Sequence, residues 1–168
     1  MSSPKQSVRI EPAGRTHVTV LLTLIRELAA YENMSDQVIA TEADLSRALF
    51  SSSPQAEAVL AWHDDKPVGF ALYFHTFSTF VGKPGLYLED MFVRPMYRRH
   101  GIGRQLLAHL AQLAVTRGCG RFEWSVLNWN KLAIGIYRKV GASPMNEWTV
   151  YRLSGNTLSA LASESQPK

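Results

Sequence analysis

Two glycines stand among basic side chains at residues 98–104, between an apolar segment and a helical repeat. The run reads Arg98, Arg99, His100, Gly101, Ile102, Gly103, Arg104. Glycine lets a ligand approach the backbone closely, and the first amides of a helix point outward without an internal partner. Those amides, the positive end of the helix dipole and the arginines would together bind an anion, most simply a pyrophosphate. An ordinary strand-to-helix turn with solvated arginines is the alternative.

The residues on either side of this loop predict the elements that hold it. Residues 86–93 are rich in aliphatic and aromatic side chains, which favours a strand, and Pro95 ends it because proline cannot donate to a ladder. After the loop, apolar residues recur at helical spacing; they are Ile102, Leu106, Leu107, Leu110, Leu113 and Ala114. No Gly-Lys-Ser/Thr follows, so the loop is not a P-loop, and the full Gly-x-Gly-x-x-Gly dinucleotide pattern is absent.

Residues 128–142 predict a second helix with polar side chains on one face. Asn130 and Tyr137 are seven residues apart, which is two helical turns, and therefore share that face. Gly141 is expected to end the helix as a C-cap. A tyrosine on an amphipathic helix is usually a core or surface contact, so the spacing alone assigns it no chemistry.

The patterns along the whole chain predict the order β-α-α-β-β-β-α-β-α-β, followed by a short final helix. Predicted strands cover residues 8–13, 58–62, 68–77, 86–93, 121–126 and 147–153, and predicted helices cover about 17–31, 42–49, 102–114, 130–140 and 156–162. Thr16 is expected to cap the first helix, residues 41–44 resemble a capping box, and residues 82–85 suggest a turn. Hairpins first and crossover units later predict an α+β fold with a mixed sheet.

Composition predicts one globular domain over residues 1–168, with a disordered polar tail at 163–168. Of the 168 residues, 46% are hydrophobic and 19% are charged, which is ordinary for a soluble protein. No apolar run approaches the ~20 residues that span a bilayer, and no secretion signal is recognisable, so we expect no membrane partner. The single Cys119 fits the reducing cytoplasm. The five histidines lack metal-ligand spacing, so no metal is predicted.

Charge is divided unevenly along the chain. Residues 1–93 carry seven basic and eleven acidic residues, whereas residues 94–139 carry nine basic residues and one acidic residue, Glu123. A basic segment can bind nucleic acid, but it can equally bind a small polyanionic cofactor. The cofactor interpretation also explains the acidic half, which would face a cationic substrate. We therefore predict no nucleic-acid partner.

Two of these segments match motifs of one family. Arg98-x-x-Gly101-x-Gly103 resembles the Arg/Gln-x-x-Gly-x-Gly/Ala pyrophosphate loop of the GCN5-related N-acetyltransferases (GNAT). Asn130-x-x-Ala133-x-x-x-Tyr137, followed by Gly-Ala, resembles the second cofactor motif of that family. The resemblance implies the GNAT fold, a mixed and mostly antiparallel sheet that is splayed at its central strand and flanked by helices. It also implies acetyl-CoA as co-substrate and a homodimeric assembly.

The resemblance carries over a set of cofactor contacts, some from the loop and some from the central strand and the second motif. They are Met91, Phe92, Val93, Arg98, Arg99, His100, Gly101, Ile102, Gly103, Arg104, Asn130, Ala133 and Tyr137. Backbone amides near Phe92 and Val93 would hold the acetyl carbonyl and stabilise its oxyanion. Tyr137 would give a proton to the departing sulfur.

Residues 24–32, 37–42, 86–93 and 98–103 resemble the spermidine/spermine N1-acetyltransferases, including the branch that prefers the lysine analogue thialysine. This implies acetyl transfer to a primary amine of a small cationic substrate: a polyamine, a diamine or a thialysine-like amino acid. The implied acceptor contacts are Tyr31, Glu32, Glu89 and Asp90, with Glu123, Trp124 and Trp148 as weaker candidates. The polyamine enzymes carry a longer and more acidic loop where this chain has residues 143–148, so spermidine itself is not assured.

Two questions stay open at this stage. Glu89 could remove a proton from the substrate ammonium, or it could only attract the cation. The chain could instead acetylate a protein lysine or N-terminus, or serve as a non-catalytic CoA-binding regulatory module. Retention of both Glu89 and Tyr137 argues against the module.

Overall fold

In the computed structural model, residues 8–165 are described, and they contain one five-stranded sheet with helices packed against it. The chain divides into two compact units, Met1–Leu127 and Asn128–Lys168, which we describe separately. The sheet lies in the first unit. The prediction of a single domain over the whole chain stays a prediction.

The strands of the first unit lie in chain order across the sheet. They are β1 Val8–Pro12, β2 Glu57–His63, β3 Lys66–Ser78, β4 Lys83–Val93 and β5 Arg121–Trp124. The first four pair antiparallel with their neighbours, whereas β5 pairs parallel to β4. A parallel neighbour needs a crossover connection, and here the helix between β4 and β5 supplies it. The α+β class with a mixed sheet is confirmed.

Three helices belong to the first unit and two to the second. They are α1 Val18–Tyr31, α2 Glu42–Phe50 and α3 Ile102–Thr116, then α4 Lys131–Lys139 and α5 Gly155–Ser163. Short 3-10 turns occupy Arg15–His17, Ser35–Gln37 and Pro95–Tyr97. Each predicted helix is therefore present, with ends within a few residues of the predicted ones.

The two faces of the sheet are buried under different helices. On one face, which we call the α1 face, Leu21 and Leu24 pack with Leu60, Phe70 and Phe92 in a single cluster. Strand side chains alternate between faces, so the neighbours of these residues point to the opposite side. There α3, which contacts β1, β3, β4 and β5, buries its own apolar stripe. We call this second side the α3 face.

The capping box at the start of α2 is confirmed. The Thr41 hydroxyl accepts from the Asp44 amide at 3.2 Å, and the Asp44 carboxylate accepts from the Thr41 amide at 3.0 Å. The cap predicted at Thr16 is wrong. Thr16 lies within a 3-10 turn, and α1 begins after His17, whose Nδ1 accepts from the Gly14 amide at 3.0 Å. That turn satisfies the preceding backbone without a threonine cap.

Two other sequence predictions are corrected. The turn predicted at residues 82–85 occupies residues 79–82, and Gly85 lies inside β4. A Cβ on Gly85 would stand 2.6 Å from the Thr76 hydroxyl, so this glycine serves a close strand-to-strand approach rather than a turn. Residues 147–153 form no strand in the described range, because strand-forming side chains make a strand only beside a ladder partner.

The predicted tail lies only partly within the described range. Ser163 is the last residue of α5, and residues 166–168 lie outside the described residues. The helix predicted at 156–162 is confirmed by α5.

Candidate active site

The register of β4 against β3 changes at Glu89. Asp90 pairs with Leu72 and Leu88 pairs with Tyr73, so in this ladder Glu89 is an extra residue on β4. A bulge of this kind changes where the following side chains point and is common beside active sites. Sequence reasoning missed it, since the apolar run 86–93 reads as a regular strand.

The bulge decides which helix Asp90 faces. Residues directly opposite each other in an antiparallel pair share a face. Phe92 pairs with Phe70, and both belong to the α1-face cluster. Asp90, two residues before Phe92, lies on that face with Leu72, which packs against the same cluster. In an unbroken ladder Asp90 would share the face of Leu88, on the side covered by α3.

Along its other edge, β4 loses its second partner strand at the same point. In the described ladder β5 pairs with β4 only over Gly85–Leu88, against Arg121–Trp124. From Glu89 to Val93, the backbone groups that point toward β5 therefore have no strand beside them. Such groups can bind a ligand carbonyl or amide, which suits the role predicted for residues 91–93.

Asp90 is a partly buried carboxylate that two other carboxylates, Glu32 and Glu89, lie near enough to influence. Burial is the largest cause that raises the pKa of Asp90, to about 6, and the charges of Glu89 and Glu32 raise it further. Glu32 caps the end of α1, and burial also raises its pKa above the ordinary value. Neighbouring negative charges that are partly removed from water favour a bound cation. The cluster can therefore hold an ammonium group.

Two aromatic rings and one guanidinium stand beside these carboxylates. The ring centroids of Tyr31 and Phe92 lie 6.5 Å apart. The Arg98 guanidinium carbon lies 4.3 Å from the Tyr31 centroid and 5.6 Å from that of Phe92. The same side chain donates from Nε to the Val93 carbonyl oxygen at 2.9 Å. Of the predicted acceptor residues, the first unit thus brings Tyr31, Glu32, Glu89 and Asp90 together.

The loop before α3 has the backbone expected of an anion site. Arg99 and Gly101 both have left-handed backbone, with φ of 67° and 78°, and α3 begins at Ile102. Apart from its chain neighbours and the backbone of its own helix, a Cβ on Gly103 would meet no atom within 4 Å, so the space over the first turn is open to a ligand. The Arg99 and Arg104 side chains are exposed, and His100 Nδ1 lies 2.9 Å from the Arg98 carbonyl oxygen. First-turn amides and two arginines can together hold a pyrophosphate.

Arg94 belongs to the same basic stretch but has a structural partner. Its Nε and Nη2 donate to the two carboxylate oxygens of Glu27 at 2.8 and 2.7 Å, and its Nη1 donates to the Pro67 carbonyl at 2.9 Å. This fork ties the end of β4 to α1 and to the β2–β3 hairpin. The sequence offered no signal for a pair sixty-seven residues apart.

The weaker acceptor candidates on β5 are engaged with their neighbours. Glu123 forms an ion pair with Arg121, with 2.8 Å between Oε2 and Nε, and this offsets the negative charge of Glu123. The rings of Trp124 and Phe122 lie 4.9 Å apart.

The remaining predicted residues lie in the second unit. Asn130 caps α4, and its side-chain oxygen accepts from the Ala133 amide at 3.2 Å. Tyr137 lies in the last turns of α4, and Gly141 follows the helix with φ of 87°, which confirms the predicted stop. Trp148 lies outside the described helices and strands. The first motif residue, Asn130, therefore has a structural function in addition to the predicted cofactor contact.

A separate cavity of about 780 Å³ lies near the start of β2 and the end of α3. Three of its polar residues contact one another, since Arg117 Nη2 donates to Glu57 at 2.7 Å and Arg117 Nη1 lies 3.4 Å from His75 Nε2. Burial and the nearby Glu57 raise the pKa of Tyr73 in the same lining to about 12. The residues that line it include none of the predicted site residues.

Within residues 8–165, no group of three or more histidine, cysteine, aspartate or glutamate side chains could hold a metal ion. No helix in that range has the length and apolar character needed to cross a bilayer.

Comparisons with known proteins agree on one family. Residues 24–142 match the model of the acetyltransferase (GNAT) family. Thialysine N-epsilon-acetyltransferase of Sus scrofa is 36% identical over 167 residues, covering 93% of this chain and 98% of that protein. L-ornithine N5-acetyltransferase of Arabidopsis thaliana is 33% identical over 198 residues, covering 91% and 87%. A solved integron cassette protein from the mobile metagenome of V. cholerae superimposes with a TM-score of 0.78 at 34% identity, covering 94% and 99%.

Proposed function

The chain belongs to the acetyltransferase (GNAT) family, and on that premise we propose that it transfers the acetyl group of acetyl-CoA directly to a primary amine of a small cationic substrate. One observation carries the proposal. Asp90 lies on the α1 face with the charges of Glu32 and Glu89 near it, on the part of β4 that has no β5 partner and that runs on into the basic loop. A cation site thereby adjoins an anion site, as transfer from a CoA thioester to an amine requires.

Within this class, we propose the side-chain amine of a free diamino acid as the acceptor to test first. Two relatives are named for such acceptors, thialysine and L-ornithine, and each aligns over most of this chain. A polyamine or a diamine is the alternative within the same chemistry. Three neighbouring carboxylates suit any of them, since each presents at least one ammonium group.

The reaction needs a neutral amine, a polarised carbonyl and a protonated leaving group. We assign Glu89 to the ammonium, either as proton acceptor through water or as cation anchor. The amine nitrogen then attacks the thioester carbonyl carbon, the carbon–sulfur bond breaks, and the sulfur takes a proton from Tyr137. The nitrogen loses its second proton in the same collapse, and that proton restores the Tyr137 hydroxyl through solvent. Backbone amides of residues 91–93 would stabilise the oxyanion, because the β5 side of β4 is open there.

For acetyl-CoA itself we propose the loop 98–104 and the second motif. The left-handed backbone at Arg99 and Gly101 and the open space over Gly103 support the loop. The assignment of cofactor contacts to Asn130, Ala133 and Tyr137 rests on the family motif alone. The family model extends across both compact units, which supports one acetyltransferase domain made from the whole chain.

We also propose that the enzyme is a cytoplasmic homodimer. Support for the dimer is the usual pairing in the resembled family, and support for the compartment is the single cysteine. Sedimentation at micromolar concentration would give the assembly state directly. A monomer at all concentrations would remove this part of the proposal.

The function is tested by thiol release from acetyl-CoA with thialysine, ornithine, lysine, putrescine, spermidine, spermine and a lysine peptide. We expect selective turnover of a small amine, with a diamino acid first. Turnover of the peptide alone would favour a protein acetyltransferase. Tight CoA binding with no thiol release on any acceptor would favour a regulatory module.

A further inference from the structure

Arg98 differs from the other arginines of the loop in where its guanidinium lies. Arg99 and Arg104 are exposed, whereas Arg98 is half-buried and turned toward the α1 side of the site. One face of its guanidinium stands 4.3 Å from the Tyr31 ring centroid. Its Nε donates in the guanidinium plane to the Val93 carbonyl oxygen at 2.9 Å. The side chain is thus engaged both by an aromatic ring and by a backbone carbonyl oxygen.

These two contacts join the two elements that carry the carboxylates. Tyr31 ends α1 and is followed by Glu32, while Val93 ends β4 three residues after Asp90. Phe92, whose ring centroid lies 5.6 Å from the guanidinium carbon, is buried between them in the α1-face cluster. A shift of Arg98 would therefore change the separation of Glu32 from Glu89 and Asp90.

We propose that Arg98 is a positioning residue for the acceptor amine, and that its side chain is not a phosphate ligand of acetyl-CoA. The inference rests on the proposed function and deepens it. The sequence motif places Arg98 at the head of the phosphate loop, but its side chain contacts Tyr31 and Val93, and this leaves the loop amides, Arg99 and Arg104 for the phosphates. Arg98 instead fixes the spacing of the carboxylates that receive the ammonium group.

Arginine can do this where lysine cannot. The planar guanidinium stacks on an aromatic ring and donates from its edge at the same time, whereas an ammonium is a point charge on a flexible stem. A phosphate, in contrast, accepts either side chain. Arg98→Lys therefore separates the two roles, because it keeps the charge and loses the geometry.

The experiment compares Arg98→Lys and Arg98→Ala with Arg99→Ala and Arg104→Ala in the full chain. Calorimetry gives the CoA dissociation constant, and steady-state thiol release gives the acceptor KM and kcat. For both Arg98 variants we expect an acceptor KM about tenfold higher, from loss of the stacked contact, with CoA affinity changed by less than about threefold. Arg99→Ala and Arg104→Ala should instead weaken CoA by about tenfold or more, as expected for a charged hydrogen bond to phosphate.

Tyr31→Leu supplies the partner for a double-mutant cycle. If Arg98 acts through the Tyr31 ring, Arg98→Lys and Tyr31→Leu should raise the acceptor KM by less together than the product of their separate effects. Independent effects would overturn the inference. So would a CoA affinity for Arg98→Ala that falls as far as for Arg104→Ala while Arg98→Lys restores it.

Failure of the proposed function would look different. If the unaltered enzyme acetylates no amine, the proposed function is wrong. The CoA affinities of the four arginine variants still decide whether Arg98 contacts phosphate. A variant that unfolds is recognised by circular dichroism, and Arg98→Lys, which retains the charge and most of the volume, then provides the comparison.

Discussion

The two halves of β4 have similar strand-forming sequences but different neighbours. Over Gly85–Leu88 the strand is paired on both sides, with β3 and with β5, and Leu86 and Leu88 are buried. From Glu89 onward it is paired with β3 alone and follows a bulge, and it carries two carboxylates. The candidate site therefore lies where the regular pairing of the strand is interrupted. The first half holds the sheet together, and the second half exposes backbone and charge to ligands.

The largest effect is expected from truncating the first half. Leu86→Ala removes a fully buried side chain and should lower the free energy of unfolding by about 2–5 kcal/mol, since a cavity is left in the core. Urea denaturation measures the loss. The kcat/KM of the molecules that remain folded should be unchanged. A large fall in kcat/KM at full folding would mean that the two halves are not separate in function.

Asp90→Asn, in the second half, should act in the opposite direction on stability. The pKa of Asp90 is raised from 3.8 to about 6, so the unfolded state releases the proton more readily than the folded state. Stability therefore falls as pH rises from about 4 to about 6, and it stays reduced above that.

The asparagine variant removes that cost. At pH 7 we expect it to be more stable by up to about 3 kcal/mol, with the gain gone below pH 4, as denaturant titrations at several pH values would measure. The acceptor KM should rise because one negative charge is lost. A variant less stable than the parent at pH 7 would contradict the charged cluster.

Tyr137→Phe tests the proton donor outside the sheet. Loss of a general acid should lower kcat about a hundredfold, while CoA affinity stays nearly constant because the ring is kept. Single-turnover thiol release and calorimetry measure the two quantities. Normal kcat with weakened CoA binding would instead make Tyr137 a cofactor contact.

The smallest effect is expected in the loop that follows the second half. The Cβ introduced by Gly103→Val would meet no atom within 4 Å beyond its chain neighbours and its own helix backbone, so we expect an effect beyond helix propensity to report on a ligand. We expect CoA affinity to fall about tenfold as the backbone becomes less approachable. Ala108→Val, at an exposed position of the same helix, is the matched control. Equal CoA affinities for the two variants would remove the loop assignment.

Local signals in the sequence predicted the local parts of this molecule. Three features each depend on residues close together in the sequence. They are the Thr41 capping box, the apolar stripe of α3 that begins at Ile102 and the end of α4 at Gly141. The four acceptor residues of the first unit were predicted by resemblance, and the structure brings them to one place. These features needed no knowledge of distant neighbours.

What the sequence could not predict depends on contacts between distant segments. The Arg94–Glu27 fork, the stacking of Arg98 on Tyr31 and the bulge at Glu89 each require the docked positions of α1, β3 and β4. The strand expected at 147–153 fails for the same reason, since strand propensity alone does not supply a partner.

The bulge also makes the effect of a deletion in β4 depend on which residue is removed. Side chains alternate with a period of two, so removing Glu89, the extra residue, would leave Leu88 opposite Tyr73 and Asp90 opposite Leu72. Removing a paired residue such as Met91 would instead place Asp90 and Phe92, which share the α1 face, on opposite faces. Redesign of the acceptor end of β4 should therefore keep the residue count from Asp90 to Val93 fixed.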